Sequence, residues 1–241
     1  MGVKVFINHE AEIEEWISKY PCFSFLNNAS VPNDINHKWI IDDSYWNYSN
    51  LITYNYQIMF IGKTGYGKST TLNKLVGKHV FETSDVSVCT KELDTAMYRI
   101  NKSPSFLMVS DLPGVGESNY ADNHYYEWYK EMLDASQVVV YLLRADQRDF
   151  AVDEMIFSNL FGDEESRKKV LIAINYADKI EPISRKIGLS SEQSASLKRR
   201  VDDVSKIFNM SKDSILYYSA TDEINMDLLI NKIASKLKKA L

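Results

Sequence analysis

The sequence is poor in cysteine, glycine and proline, and it has no long apolar run. Two cysteines, Cys22 and Cys89, in 241 residues are too few for a disulfide framework and fit a reducing compartment. With nine glycines and five prolines, the chain shows no flexible linker, low-complexity tract or internal repeat. No apolar run approaches the roughly 18 residues of a membrane-spanning helix, and the first ten residues lack a signal-peptide core. We therefore expect a cytoplasmic protein with no transmembrane segment.

An excess of positive charge is also missing. The chain has 28 Lys and Arg against 33 Asp and Glu, a net charge of -5, which matches nucleic-acid phosphate poorly, so no DNA or RNA partner is evident. The composition, 45% apolar and 25% charged, is that of a globular protein. At about 150 residues per domain, the length predicts one large domain with an appendage, or two small domains.

Short apolar strands alternate with amphipathic helices from Tyr56 onward. This rhythm predicts an α/β fold with a mostly parallel, six-stranded sheet and helices on both faces, over residues 54–241. The predicted strands are 56–61, 94–101, 105–110, 137–143, 169–174 and 214–218. The predicted helices lie near 68–76, 122–134, 151–161, 191–208 and 224–240.

Residues 1–53 are interpreted as an N-terminal extension that includes an aromatic-rich segment. Ile13, Trp16 and Ile17 lie on one helical face, Asn8 can cap the helix and Pro21 ends it, so a helix is predicted at about 9–20. We expect this helix to pack on the sheet of the larger domain through its apolar face.

A phosphate-binding loop follows the first of the predicted strands. The pattern G-x-x-x-x-G-K-[ST] is met at a strand-to-helix turn by Gly62, Lys63, Thr64, Gly65, Tyr66, Gly67, Lys68 and Ser69. Glycines let the backbone wrap so that N–H groups face phosphate oxygens, and the helix N-terminus adds positive charge. Lys68 is expected to contact the β- and γ-phosphates, and the Ser69 hydroxyl to bind Mg²⁺. These eight residues and Thr70 are the predicted phosphate contacts.

Later strand ends point to GTP rather than ATP. Asp111-Leu112-Pro113-Gly114 follows the strand at 105–110 and places a carboxylate near Mg²⁺ and the Gly114 N–H near the γ-phosphate. Asn175 and Asp178 follow the strand at 169–174, and a carboxylate there can accept the N1–H and N2 amine hydrogens of guanine. Ser219-Ala220 follows the last strand, where a backbone N–H can meet guanine O6. All three sites lie at carboxyl ends of strands, where open α/β sheets bind ligands.

These motifs resemble the P-loop GTPases of the translation-factor class, of Era and septin type. The stretch 62–91, which ends in Val88-Cys89-Thr90-Lys91, resembles the immunity-associated and plastid-import-receptor GTPases. The stretch 111–118, together with Arg144-Ala145-Asp146 and 175–182, is similar to the bacterial YfjP-type predicted GTPases. The resemblance implies the P-loop NTPase three-layer fold, GTP and GDP as ligands, and Mg²⁺. It also implies that Thr90 is the switch I threonine, a ligand of Mg²⁺ that acts in catalysis with Lys68 and Gly114.

Two departures from the usual motifs bear on function. Tyr176 stands where a lysine usually packs over the base; it can cover the guanine ring or belong to the core. Val115 stands where many small GTPases have a water-orienting glutamine. We therefore expect slow GTP hydrolysis by the monomer, stimulated by a homodimer across the nucleotide face or by an activating protein. Candidates for the missing group are Glu117, Ser118, His124, Arg144 and Arg148. The alternative is a GTP-dependent assembly or switch module with negligible turnover.

Overall fold

The computed structural model describes residues 5–43, 48–82, 93–101, 104–114, 123–183 and 188–241, and within these ranges eight strands form one sheet. The strands are β1 (Val5–Glu12), β2 (Lys38–Asp43), β3 (Tyr48–Ile61), β4 (Leu93–Arg99), β5 (Ser105–Asp111), β6 (Val138–Arg144), β7 (Val170–Asn175) and β8 (Ile215–Tyr217). The helices are α1 (Ile13–Lys19), α2 (Lys68–Val76), α3 (Asn123–Asp134), α4 (Ala151–Leu160), α5 (Glu164–Lys168), α6 (Ser191–Ile207) and α7 (Met226–Lys239), with 3-10 turns at Pro21–Asn28, Ala177–Lys179 and Lys212–Ser214.

The strand order is β1-β4-β5-β3-β6-β7-β8, and β2 pairs antiparallel with the first half of β3. Only β4 and β5 are antiparallel along the main path. The predicted α/β fold with a mostly parallel sheet is thus confirmed. The carboxyl ends of β3, β5, β6, β7 and β8 consequently meet at one edge, since these strands run in the same direction.

The prediction of six strands was wrong, because the first 53 residues contribute to the same sheet. They supply β1, β2 and the first half of β3, which begins at Tyr48 instead of Tyr56. β1 lies at the edge beside β4 in a parallel register, with a bulge between Ile7 and His9.

The helix predicted at 9–20 begins only at Ile13. Residues 9–12 continue β1, pairing from His9 opposite Ala96 to Glu12 opposite Arg99. Glu10 also forms an ion pair with Arg99 at 2.8 Å. Pairing with β4 therefore overrides the helical pattern, because each extended residue gains ladder hydrogen bonds that a free helix end would lack.

The N-terminal helix packs against the sheet, as predicted. Trp16 is 2% exposed, and its ring centroid lies 4.9 Å from that of Tyr98 in β4. Directly after α1, the Tyr20 hydroxyl donates to the Leu75 carbonyl oxygen at 2.8 Å, and Lys19 Nζ donates to the same oxygen at 2.9 Å. These bonds satisfy the Leu75 carbonyl oxygen in the last turn of α2, where a helix leaves carbonyl groups without internal partners. The division of the chain at residue 53 stays a prediction.

Buried residues fill both faces of the central strands. Every residue of β7 is buried, as are Val138–Leu143 in β6. On α3, the residues Tyr129, Met132 and Leu133 are buried. Across the described ranges, none of the helices combines the length and apolarity that spanning a membrane demands.

Candidate nucleotide-binding site

The glycine-rich loop at 62–67 joins the end of β3 to the start of α2. Gly67 has φ 84°, in the left-handed region, and a side chain there would collide with the Asn175 amide. Glycine is therefore required at this turn. Lys68 is buried, and its Nζ donates to the Gly62 carbonyl oxygen at 3.0 Å. Thr70 lies in the first turn of α2. The loop thus ends at a helix N-terminus, which attracts anions.

Side chains from two neighbouring strand ends bind the carbonyl oxygens of this loop. Arg144 Nη1, at the end of β6, donates to the Gly65 oxygen at 3.2 Å. The Tyr176 hydroxyl donates to the same oxygen at 3.3 Å, and Asn175 Nδ2 donates to the Tyr66 oxygen at 3.1 Å. Phosphate oxygens accept hydrogen bonds, so the groups that this loop can offer to them are its N–H groups, while these carbonyl oxygens are satisfied by side chains.

A hydroxyl and a carboxylate meet at the start of α2. Ser69 Oγ donates to Asp111 Oδ2 at 2.6 Å, and Asp111 Oδ1 is buried without a hydrogen bond from any described residue. Burial raises the pKa of Asp111 to about 6, against the opposing effects of Lys68 and Ser69. This donor pair fits Mg²⁺, which usually takes one or two protein ligands with waters and phosphates. The described residues contain no cluster of three His, Cys, Asp or Glu suited to a metal.

The Asp-Leu-Pro-Gly segment lies against the phosphate-binding loop. A Cβ added at Gly114 would collide with the Thr64 side chain and lie 2.9 Å from its backbone nitrogen. The hydroxyl of Tyr129 in α3 donates to the Pro113 carbonyl oxygen. Gly114 therefore lies so close to Thr64 that no side chain would fit there, and the bond from Tyr129 in α3 supports this position. Thr90 and Val115 lie outside the described residues.

Asn175 connects three parts of the predicted base site. Its Oδ1 accepts from the backbone nitrogens of Tyr176 at 2.8 Å and Ala220 at 3.2 Å, while its Nδ2 reaches the glycine-rich loop. Asp178 Oδ1 is buried and accepts no hydrogen bond within the described part of the chain. A buried, unpaired carboxylate oxygen needs donors, and guanine offers two on one edge.

Ser219 and Ala220 lie beside Asn175, but their N–H groups are already in use. Ser219 N donates to the Ile224 carbonyl oxygen at 3.0 Å, and Ala220 N donates to Asn175. A contact from either residue to guanine O6 would therefore have to share or replace one of these bonds.

Residues 57–176 match the protein family described as 50S ribosome-binding GTPase. The chain contains a P-loop GTPase domain of this family. It is 35% identical over 170 residues to the uncharacterized protein YfjP of Escherichia coli strain K12, covering 70% of this chain and 58% of YfjP. It is 25% identical over 198 residues to the GTPase Era of Halothermothrix orenii, covering 75% of this chain and 65% of Era. The chain thus spans little more than half the length of YfjP.

The fold of this GTPase domain has solved counterparts. A dimerisation-deficient variant of Toc33 from Arabidopsis thaliana has a TM-score of 0.61 at 19% identity, covering 94% of this chain and 91% of that chain. The match extends over the N-terminal region as well as the P-loop domain.

Tyr176 contacts the P-loop of the GTPase domain and is only half-buried, so it is not a core residue. Two cations contact its ring, with the Arg144 guanidinium carbon 4.3 Å and Lys179 Nζ 4.5 Å from the centroid. Arg144 is also paired with Asp146 at 2.8 Å. The expected lysine of the motif is thus replaced by an aromatic ring held through cation–π contacts.

Sequence reasoning missed one polar group beside the P-loop. Asp153 in α4 is fully buried and pairs with Lys63 at 2.8 Å, so the Lys63 side chain is directed to α4. Asp153 falls two residues after the apolar Phe150-Ala151 in an ordinary amphipathic helix. An aspartate on the apolar face of that helix could have indicated a buried, paired carboxylate, because a charged side chain at such a position needs a partner.

Proposed function

We propose that this chain binds GTP and Mg²⁺ and hydrolyses GTP to GDP and phosphate, slowly when it is alone. The observation that carries the proposal is the buried, unpaired Oδ1 of Asp178, beside a P-loop to which Asn175 is bonded. Guanine presents N1–H and an N2 amine to such a group, whereas adenine presents no matching pair. The low cysteine content supports a cytoplasmic location for this activity.

Catalysis would rest on charge neutralisation and positioning. Ser69, Asp111 and Thr90 would hold Mg²⁺, which when bound neutralises charge on the β- and γ-phosphates. Lys68 would exchange its bond to the Gly62 carbonyl oxygen for the phosphates, and the Gly114 N–H would contact the γ-phosphate. Structures of Toc33 in complex with Mg²⁺ and GMPPNP and with GDP and Mg²⁺ support this ligand set for the fold.

A second copy of the chain or an activating protein is proposed to raise the rate. Val115 cannot orient a water molecule, so the missing group has to come from elsewhere. Arg144 is bonded to Asp146 and Gly65, whereas the Arg148 side chain is 89% exposed and therefore better placed to reach a partner. Dimerisation is important for the GTPase activity of the chloroplast translocon components atToc33 and psToc159, whose structure has a TM-score of 0.55 at 21% identity.

Base selection is tested with the Asp178→Asn variant. Two charge-assisted hydrogen bonds of about 1.5–3 kcal/mol each correspond to roughly 10²–10⁴ in affinity. We expect titration calorimetry to show this loss for GTP and GDP, together with a gain for xanthosine triphosphate. The unsubstituted chain should bind ATP far more weakly than GTP, and equal affinities would contradict guanine selection.

Turnover is tested by measuring phosphate release across protein concentrations. We expect a specific activity that rises with concentration and falls when Arg148 is replaced by alanine. Fast turnover that is independent of concentration would contradict the need for a partner.

The second candidate function is a GTP-dependent assembly or switch module with negligible turnover, and Val115 is the residue that favours it. Nucleotide-dependent association without phosphate release at any protein concentration would support this alternative over the hydrolase.

A further inference from the structure

A buried carboxylate of helix α4 lies beside the P-loop, outside the predicted phosphate and base contacts. The Asp153 side chain is 0% exposed. Its Oδ2 accepts from Lys63 Nζ at 2.8 Å and from Gln147 Nε2 at 2.6 Å, and it lies 3.2 Å from the Tyr66 hydroxyl. Two of these three partners are P-loop residues.

The P-loop partners flank the part of the loop that wraps around phosphate. Lys63 and Tyr66 lie on either side of Thr64 and Gly65. The Tyr66 hydroxyl donates to Gln147 Oε1 at 2.7 Å, and its ring is 7% exposed. Lys63 Nζ also lies 5.8 Å from the centre of that ring. The network therefore fixes both ends of a four-residue segment.

The opposite side of the network is a rigid support. Asp153 lies in the first turn of α4, and Ile156, Phe157 and Leu160 of this helix are buried. The Tyr141 hydroxyl in β6 donates to the Asp153 carbonyl oxygen at 3.3 Å. Movement of the carboxylate would require movement of α4 against the sheet, which close packing resists.

We propose that Asp153 is a positioning residue for phosphate binding, which acts through Lys63 and Tyr66 to hold the P-loop in its binding conformation. Lys63 is then a tether to α4 and not a phosphate ligand, in contrast to the expectation from the sequence. A buried carboxylate stays charged at low energetic cost only when it is paired, so each partner fixes the other. A loop fixed before the ligand arrives binds more tightly, because less ordering accompanies binding. This inference rests on the proposed nucleotide binding.

The experiment compares five variants of this chain for GDP and GTP affinity by calorimetry in the presence of Mg²⁺. Asp153→Asn and Lys63→Met break the ion pair from either side, the double variant closes a mutant cycle, and Glu154→Gln is the control. Glu154 is the next residue of α4 and is exposed, so it undergoes the same charge change outside the network.

We expect Asp153→Asn and Lys63→Met each to weaken GDP and GTP binding about tenfold or more, and to similar extents for the two nucleotides. The double variant should bind both nucleotides about as tightly as either single variant does. The ³¹P shift of the GDP β-phosphate should move in Asp153→Asn and Lys63→Met but not in Glu154→Gln. Lys63→Arg, which keeps the cation, should restore most of the affinity. A loss of folding alone would lower the denaturation midpoint without moving the ³¹P shift of the bound fraction.

Three results would overturn the proposal. If Lys63 contacted phosphate directly, Lys63→Met would weaken GTP more than GDP, and Asp153→Asn would leave both affinities unchanged. Additive losses in the double variant would show that the two residues act separately. An unaltered ³¹P shift in both single variants would exclude a positioning role for Asp153. Should Asp153→Asn fail to fold, the Lys63→Met variant alone tests the proposal, because the Lys63 side chain is 22% exposed and its replacement disturbs the core less. If the unsubstituted chain bound no GDP, the proposed function itself would fail, and the inference with it.

Discussion

Replacing Trp16 with alanine should destabilise the whole P-loop domain, because this side chain fills the space between α1 and the sheet. The ring is 2% exposed and lies 4.9 Å from Tyr98, 4.9 Å from Tyr20 and 5.5 Å from Phe23, centroid to centroid. Removal of a buried aromatic side chain of this kind costs about 3–5 kcal/mol. The buried Trp16 Nε1 has no hydrogen-bond partner among the described residues, and its removal offsets part of that loss. We therefore expect a decrease near 3 kcal/mol in the free energy of unfolding.

The assay is urea unfolding followed in parallel by circular dichroism and by release of a fluorescent GDP analogue. With a slope of about 1–3 kcal/mol per molar urea, the midpoint should fall by at least about 1 M in both signals. Ile35→Ala is the control, since Ile35 belongs to the same N-terminal region but is 78% exposed. It should change the stability by less than about 0.5 kcal/mol.

A specific result would refute this reasoning. If Trp16→Ala shifted the circular dichroism signal but left the midpoint for nucleotide release unchanged, residues 1–53 would be an appendage that unfolds independently. A shared shift would instead show one cooperative unit that begins at β1, and the division at residue 53 would then lie inside a domain.

Three further predictions concern the site and its surroundings. Ser69→Ala should weaken GDP binding about tenfold or more in Mg²⁺ and little in EDTA, because only the metal-bound complex uses the hydroxyl. Equal losses of affinity in calorimetry under both conditions would contradict a role of Ser69 in metal binding. Gly67→Ala should abolish GDP binding, whereas Gly188→Ala, with φ 81° but open space around it, should lower only the denaturation midpoint. Burial lowers the pKa of His9 in the folded chain, and Lys78 lowers it further. The unfolded chain therefore binds more protons near pH 6 than the folded chain does, so the free energy of unfolding should decrease as the pH falls from 7.5 to 5.5. In urea titrations His9→Leu should lose less stability over this range than the unsubstituted chain, and an identical pH dependence would exclude the contribution of His9.

Sequence reasoning located the P-loop and Asp111 because their chemistry depends on spacing along one strand and one turn. Glycines at fixed offsets, followed by Lys68 and Ser69, need a strand before them and a helix after them, and the apolar pattern supplies both. The Ser69–Asp111 contact then follows from the parallel alignment of β3 and β5, whose pairing ends with Phe60 opposite Asp111.

β1 escaped prediction for a physical reason. Its buried positions include His9, and the segment from His9 to Glu12 is polar enough to read as the start of the helix that carries Trp16. Its extended conformation depends on pairing with a strand more than 80 residues away, opposite Leu93–Arg99. No local pattern records such a partner, since strand preference is decided by packing and pairing more than by the residues themselves.

The two ends of the P-loop and its helix are bound by side chains from elements that contribute no predicted nucleotide contact. Asp153 pairs with Lys63 where the loop begins, and Lys19 and Tyr20 bond to the Leu75 carbonyl oxygen where α2 ends. Charge placed at a helix C-terminus and a buried ion pair both lose strength when the supporting element shifts by a fraction of a hydrogen-bond length. A displacement of α1 or α4 should therefore alter the phosphate site without any contact to the nucleotide. A partner that binds to either helix would change the conformation of the P-loop by the same route.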